Sequence, residues 1–284
     1  MAELGKILTA IVTPFDESGA IDEAAFVGLM HHLAAHGSDG FVVCGTTGEA
    51  PTLNDEEQLR LIELAVQERP AGTTIVAGVG SNETRHAVRL TERATALGPD
   101  GLLSVNPYYN RPSRRGIVAH FEHVAAATDK PIVLYNIPQR TGSDMPNDLL
   151  SELAQLENVA AVKQANGENL AMIDGLALYA GNDDLLADTL DLGGAGGILT
   201  SSHVVGRELR AMVDDPENRR RIHVDLLPAF EALGVAPAAV TCKAALNLIG
   251  IEAGTVRLPY LPADERETAV IRTMLEDRRL LAAT

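Results

Sequence analysis

Short apolar runs alternate along the chain with longer stretches whose apolar residues recur at the spacing of one helix face. The first run covers residues 7–13, is rich in β-branched side chains and stops before Pro14. In the stretch that follows, Phe26, Leu29 and Leu33 fall on one side of a helix. Runs of the first kind predict buried strands and stretches of the second kind predict amphipathic helices, so the chain begins with a strand followed by a helix.

This unit of a strand and a helix recurs until there are eight predicted strands. They cover residues 7–13, 41–44, 74–77, 102–105, 132–135, 159–163, 178–180 and 197–200. The predicted helices include one that begins after Asn54, whose capping pattern is completed by Glu57, and one over residues 170–176. Eight alternations predict an α/β fold, a closed parallel (β/α)8 TIM barrel. An open doubly wound sheet is the alternative, but it more often has a glycine-rich turn where this chain has Thr-Pro-Phe at residues 13–15.

Strand patterns stop near residue 203, and the remaining chain carries only helical patterns. These patterns, which glycine and proline residues separate, cover residues 219–233, 238–248 and 263–281. We therefore predict a barrel domain over residues 1–213 and a C-terminal helical extension over residues 214–284.

Composition and charge argue against several classes of function. The formal net charge of −16 argues against nucleic-acid binding, which needs clustered lysine and arginine, although local donors could still bind an anionic substrate. The two cysteines, Cys44 and Cys242, show neither a disulfide framework nor the spacing of zinc ligands, so no metal site is predicted. The N-terminus shows no signal-peptide pattern, and no apolar run is long enough for a membrane helix. We therefore expect a cytoplasmic protein without nucleic-acid or membrane partners.

Lys163 is the last residue of a predicted strand, whereas the other three lysines of the chain lie before strands or in a helical stretch. Burial disfavours the ammonium form of lysine and lowers its pKa, and the neutral amine is the form that attacks a carbonyl carbon. A surface lysine that extends its ammonium group into water is the alternative.

Other polar residues follow the C-terminal ends of predicted strands, where barrels of this kind carry their active sites. Tyr135 ends the fifth strand and Lys163 the sixth, and adjacent strands lie about 4.8 Å apart, so the two side chains can meet. Thr46 and Thr47 follow the second strand between glycines, and their hydroxyl groups beside backbone N–H groups suit a small carboxylate. A tight turn in which the threonines satisfy the backbone is the alternative. An amine, a phenol and a carboxylate site together predict Schiff-base chemistry on a 2-oxo acid, with the tyrosine transferring protons.

Three sequence motifs carry a resemblance to a known family. Gly45-Thr-Thr-Gly-Glu49, Tyr135-Asn-Ile-Pro-Gln-Arg-Thr-Gly142 and Val162-Lys163 resemble the signatures of the dihydrodipicolinate synthase and N-acetylneuraminate lyase family of class I pyruvate aldolases. Their order and spacing agree, and the similarity extends from the first strand to residues 256–259. The resemblance therefore covers nearly the whole chain.

The resemblance implies which residues perform the chemistry. Lys163 would form the Schiff base with pyruvate. The proton relay would consist of Tyr135, Thr46 and Tyr109. The family also implies that Tyr109 reaches in from a neighbouring subunit, in a homotetramer built from dimers.

The resemblance also implies which residues bind the substrates. Thr47 would help to hold the pyruvate carboxylate, Gly181 and Ile198 would line the pocket, and Arg140 would meet the carboxylate of the second substrate. The implied reaction needs no cofactor and condenses pyruvate with aspartate 4-semialdehyde to give 4-hydroxy-tetrahydrodipicolinate. Another pyruvate aldolase or lyase of the family, which cleaves a 2-keto-3-deoxy sugar acid or N-acetylneuraminate, is the close alternative. A non-catalytic barrel that binds a metabolite is a further alternative, but such a binder has no need of an activated amine.

Lysine-sensitive members of the family bind lysine through polar groups, and this chain departs from them. The matching positions hold Ala50, Pro51, Asp55, Gln58 and His86. His86 stands where lysine-sensitive members hold a carboxylate, and a cation there would repel the amino group of lysine. We therefore expect weak or absent inhibition by lysine.

Overall fold

Eight parallel strands close into a barrel in the computed structural model, which describes residues 4–281. The strands are β1 (Ile7–Ala10), β2 (Gly40–Val43), β3 (Thr74–Gly78), β4 (Gly101–Val105), β5 (Ile132–Asn136), β6 (Val159–Gln164), β7 (Ala177–Ala180) and β8 (Gly196–Leu199). Each strand pairs with the next one in the chain, and β1 pairs with β8, with Leu8 opposite Ile198. The predicted closed barrel is therefore confirmed, and the open sheet is excluded.

Helices on the outside of the barrel connect the strands. Within residues 4–281 the α-helices are α1 (Glu23–Ala35), α2 (Asp55–Glu68), α3 (Thr84–Ala96), α4 (Arg114–Ala126), α5 (Pro138–Thr141), α6 (Asn147–Leu153), α7 (Leu186–Asp191), α8 (Ser202–Asp214), α9 (Arg219–Leu233), α10 (Ala238–Leu248) and α11 (Glu265–Asp277). The capping box predicted for α2 is present, because the Asn54 side chain accepts from the Glu57 N–H and the Glu57 carboxylate accepts from the Asn54 N–H.

The helix predicted over residues 170–176 is wrong. A 3-10 turn, Gly167–Asn169, ends just before this segment, and within it Ile173 forms an isolated antiparallel bridge with Leu176. Gly175 between them has φ +88°, a left-handed conformation that glycine adopts easily and that ends a helix. Ile173 and Leu176 are buried and Leu170 is partly buried in one apolar cluster with residues of the neighbouring helices and strands, without forming a helix.

One buried cluster contains a residue from every strand and therefore fills the barrel. Its members on the strands are Leu8, Ala10, Val42, Val76, Leu103, Val133, Tyr135, Ala161, Tyr179 and Ile198. Alternate residues of a strand share a face, so Lys163, two positions after Ala161, also faces the interior. The side chain of Lys163 is accordingly buried, which excludes the alternative of a surface lysine.

Helices α8 to α11 pack together over one side of the barrel. A single cluster joins Leu209 of α8, Leu226 of α9 and Leu275 of α11 to Ile7 and Leu199 of the barrel. The domain boundary between residues 213 and 214 stays a prediction. Within residues 4–281 no single helix is long and apolar enough to cross a membrane. Helices α9 and α10 taken together have the length and composition of a membrane-spanning segment, but the angle between them is 104°.

Candidate active site

Lys163 and Tyr135 lie side by side at the C-terminal ends of β6 and β5. They are direct register partners, and the Lys163 Nζ lies 4.2 Å from the centroid of the Tyr135 ring. Both side chains are about 5% exposed. The strand order therefore brings the amine and the phenol together at the mouth of the barrel.

The pKa of the Lys163 amine is lowered from 10.5 to about 7. Burial is the largest cause, because a dry environment disfavours the charged ammonium form. The positive charge of Arg140 lowers the pKa further, and the carboxylate of Asp183 opposes both effects. A substantial fraction of the amine is therefore neutral and nucleophilic at neutral pH.

Tyr135 has the opposite kind of shift, since burial raises the pKa of its phenol to about 12. The charge of Arg140 partly opposes this rise. The phenol thus remains protonated at neutral pH, and it can donate a proton to a neighbouring oxygen and recover it later.

Thr46 and Thr47 lie in a tight turn that begins where β2 ends. Cys44 and Glu49, at the two ends of this turn, both have φ +57°, a left-handed conformation that costs about 1–2 kcal/mol in a residue with a side chain. The Thr13 hydroxyl donates to the Gly48 carbonyl over 2.7 Å and holds the turn against the residues that follow β1. Such a turn is maintained only by its surroundings, so the positions of the two threonines are imposed by tertiary contacts.

Arg140 lies on the short helix α5, which the sequence pattern did not predict. The buried Asn136 side chain holds the segment after this helix, because it donates to the Asp144 carboxylate over 2.8 Å and accepts from the Met145 N–H over 3.0 Å. It also donates to the Gln164 side chain over 3.0 Å, next to Lys163 in the chain. Asn136 therefore fixes the segment that carries Arg140 relative to the strand that carries Lys163.

Asp183 follows β7, and sequence reasoning gave it no role. Its carboxylate accepts from the backbone and hydroxyl groups of Thr200 and Ser201 over 2.7–3.1 Å, which ties the end of β7 to the end of β8. The same rule that selected Lys163, polar residues after strand ends, would have selected Asp183. The effect of Asp183 on the Lys163 pKa depends on the distance between the carboxylate and the amine, which cannot be read from the sequence.

One cavity of about 450 Å³ collects most of the predicted site residues. Those that line it are Thr46, Thr47, Tyr135, Arg140, Lys163 and Gly181, together with Asp183 and Thr200. A small oxo acid fits a cavity of this size, and an amine, a phenol, hydroxyl groups and a guanidinium group all face it.

Two predicted site residues lie elsewhere in this single chain. Ile198 is fully buried in the cluster inside the barrel and is not among the residues that line this cavity in the described part of the chain. Tyr109 is 88% exposed and has φ +73°, and its N–H donates to the Thr141 carbonyl over 3.2 Å. The phenol is therefore open to solvent, and Tyr109 is not among the residues that line this cavity in the described part of the chain. Its role in the proton relay stays a prediction.

A search of residues 4–281 finds no group of three or more histidine, cysteine, aspartate or glutamate side chains arranged to hold a metal ion.

Comparison with known proteins identifies the family. The model of the dihydrodipicolinate synthetase family matches residues 3–278. The chain belongs to this family.

Relatives within the dihydrodipicolinate synthetase family are similar over their whole length. The 4-hydroxy-tetrahydrodipicolinate synthase of Synechococcus sp. (strain JA-2-3B'a(2-13)) is 40% identical, over 98% of this chain and 95% of that protein. The enzyme of the same name from Moorella thermoacetica is 42% identical, over 98% of this chain and 99% of that protein. The crystal structure of dihydrodipicolinate synthase from Cyanidioschyzon merolae with lysine bound has a TM-score of 0.94 and 38% identity, and the match covers 99% of this chain and 100% of that one.

The opposing charges around Lys163 make a testable prediction about its reactivity. We expect the rate at which trace acetic anhydride acylates Lys163 to rise with pH, with a midpoint near the pKa of about 7. Arg140→Met removes a cation that disfavours the ammonium form, so the midpoint moves to higher pH. Asp183→Asn removes an anion that favours the ammonium form, so the midpoint of acylation moves to lower pH. Peptide mass analysis of the Lys163 peptide measures both shifts, and a shift of the two variants in the same direction would contradict this account.

Proposed function

We propose that the chain condenses pyruvate with aspartate 4-semialdehyde to form 4-hydroxy-tetrahydrodipicolinate, through a Schiff base on Lys163. The observation that carries this proposal is a buried amine with a pKa of about 7 beside a protonated phenol. Full-length relatives at about 40% identity carry the name of this synthase. The chemistry of the site and the family membership therefore support the same reaction.

The first step joins Lys163 to pyruvate. The neutral amine attacks C2 of pyruvate, the C=O double bond becomes a hydroxyl group, and loss of that hydroxyl as water leaves the imine. Protons must move from nitrogen to the departing oxygen, and the Tyr135 phenol and the Thr46 hydroxyl are placed at the cavity to carry them. Thr47 and the N–H groups of the turn receive the pyruvate carboxylate.

The second step forms the new carbon–carbon bond. Loss of a proton from the methyl carbon of the imine gives an enamine. This carbon attacks the aldehyde carbon of the second substrate, the C=N bond to Lys163 re-forms, and the aldehyde oxygen takes up a proton and becomes a hydroxyl group. Arg140 at the cavity binds the carboxylate of that substrate through its guanidinium group. The amino group of the same substrate then attacks C2, closes the ring and releases Lys163.

In this proposal, Tyr109 of one chain completes the proton relay of another chain in the oligomer. Its phenol is exposed in the single chain, which supports contact with a second copy of the chain. A dimer that exchanges this residue, and a homotetramer of two such dimers, is the assembly that we propose.

The test of this function is reduction with borohydride in the presence of pyruvate, followed by peptide mass analysis. We expect a reduced pyruvyl adduct on the Lys163 peptide of the wild-type chain and none in Lys163→Arg. Tyr135→Phe should slow turnover by about 10²–10⁴-fold, because it removes one proton carrier.

Turnover with aspartate 4-semialdehyde, compared with turnover with other aldehydes, identifies the second substrate. An adduct on a different lysine would contradict the mechanism.

Lysine should inhibit the chain weakly or not at all. A second cavity of about 360 Å³ adjoins the active site and is lined by Ala50, Asp55, Gln58, His86 and Tyr108, among others. His86 Nε2 lies 2.9 Å from the Asp55 carboxylate, and His86 Nδ1 lies 2.9 Å from the Ser81 hydroxyl. One oxygen of the Asp55 carboxylate is therefore already in contact with the His86 ring, which leaves fewer of its acceptor positions for the amino group of lysine. The measurement is turnover as a function of lysine concentration, and half-inhibition by submillimolar lysine would refute the prediction.

A further inference from the structure

A buried ion pair joins the threonine turn to the C-terminal helices. The Lys243 Nζ on α10 lies 2.6 Å from the Glu49 carboxylate, and the two side chains are 3% and 0% exposed. The two residues are 194 positions apart in the chain. Burying two charged side chains costs free energy unless hydrogen bonds occupy their remaining donors and acceptors. The stability of this pair therefore depends on the groups that contact it.

Those contacts come from the segment that follows α10. Lys243 Nζ also donates to the Thr255 carbonyl over 2.6 Å, and the second oxygen of Glu49 accepts from the Arg257 N–H over 2.9 Å. The ring of Phe15 lies 4.3 Å from the Lys243 Nζ. The ion pair is therefore part of a network that includes residues from three distant parts of the chain.

Glu49 is also the last residue of the turn that carries Thr46 and Thr47. Its N–H donates to the Thr46 carbonyl over 3.1 Å, and its backbone has the left-handed φ of +57°. A glutamate without an anchor would relax toward the right-handed or extended region, and this change would move the N–H group that holds Thr46. The side-chain contacts of Glu49 thus determine the backbone of the turn.

Lys243 itself is not a second nucleophile for the cavity. Burial lowers its pKa to about 8, with the Glu49 carboxylate opposing the change. Its Nζ nevertheless donates to a carboxylate and a carbonyl, and Lys243 is not among the residues that line the active-site cavity in the described part of the chain. The structure therefore gives this amine a role in support of the turn.

We propose that Glu49 and Lys243 are positioning residues: through their ion pair, α10 holds the Thr46–Thr47 turn in the geometry that receives the pyruvate carboxylate. This inference rests on the proposed function. It assigns to the C-terminal helical part a direct influence on the affinity for pyruvate.

The test uses Lys243→Met and Glu49→Gln in the full chain. The readout is the pyruvate concentration that gives half-maximal borohydride trapping on Lys163, together with kcat for the condensation. We expect this concentration to rise about 10-fold or more in each variant, because both remove the anchor of the turn. In a Thr47→Val background, which already lacks the carboxylate contact, adding Lys243→Met should change it by less than about 2-fold, since residues that act through one another are not additive.

The matched control is Arg219→Met. Arg219 on α9 pairs with Asp191 over 2.6 Å and donates to the Met212 carbonyl, with its side chain 11% exposed. This variant removes a largely buried cation from the same helical part of the chain, without a contact to the turn. It should lower the melting temperature and leave the half-maximal pyruvate concentration unchanged.

The outcomes separate the two proposals. A wild-type chain that forms no adduct would contradict the proposed function. Two results would overturn the positioning role alone, provided that the wild-type chain forms the adduct. One is an unchanged half-maximal pyruvate concentration in Lys243→Met, and the other is an equal change of that concentration in Arg219→Met. If Lys243→Met fails to fold, the same comparison is made with Glu49→Gln combined with Lys243→Met, which leaves no unpaired buried charge.

Discussion

The structure depends on one constraint, which is that the Lys163 amine is kept in the dry interior of a barrel and still lines an open cavity. A fall in the Lys163 pKa from 10.5 to about 7 corresponds to about 5 kcal/mol against the ammonium form. The barrel makes this possible because alternate residues of β6 face inward, and Lys163 is the last of them before the mouth. Tyr135 occupies the matching place on β5, so the register of two strands sets the distance between the amine and the phenol.

The groups around Lys163 are held by polar networks that connect one strand end to the next. Asn136 links the segment after α5 to β6, and Asp183 links the end of β7 to residues after β8. Glu49 and Lys243 link the turn after β2 to α10. Each network is buried or partly buried, and every carboxylate in it accepts hydrogen bonds from neighbouring groups. These hydrogen bonds make the cavity wall rigid without filling the cavity. The cavity is thus shaped by residues that contact no substrate in the proposed mechanism.

The sequence predicts the parts of this arrangement that depend on local periodicity. Eight apolar runs predict eight strands, and the order of strands alone places Tyr135 beside Lys163. The helix predicted over residues 170–176 is wrong because apolar residues at helical spacing can also be buried by an irregular loop, and Gly175 adopts a left-handed conformation that ends a helix. Asp183 and Lys243 were assigned no function because their partners lie on other strands or 194 positions away. The phenol of Tyr109 is exposed in the single chain, and no periodicity along the sequence determines whether a second copy of the chain covers it.

The central claim is that Lys163 is the amine that pyruvate reaches, and a crystal structure of the chain soaked with pyruvate tests it most directly. The account predicts continuous electron density from the Lys163 Nζ to C2 of pyruvate, with the carboxylate of pyruvate against the Thr46–Thr47 turn and the Tyr135 hydroxyl beside the new bond. Pyruvate bound without a covalent link to Lys163, or linked to Lys243 instead, would contradict the account.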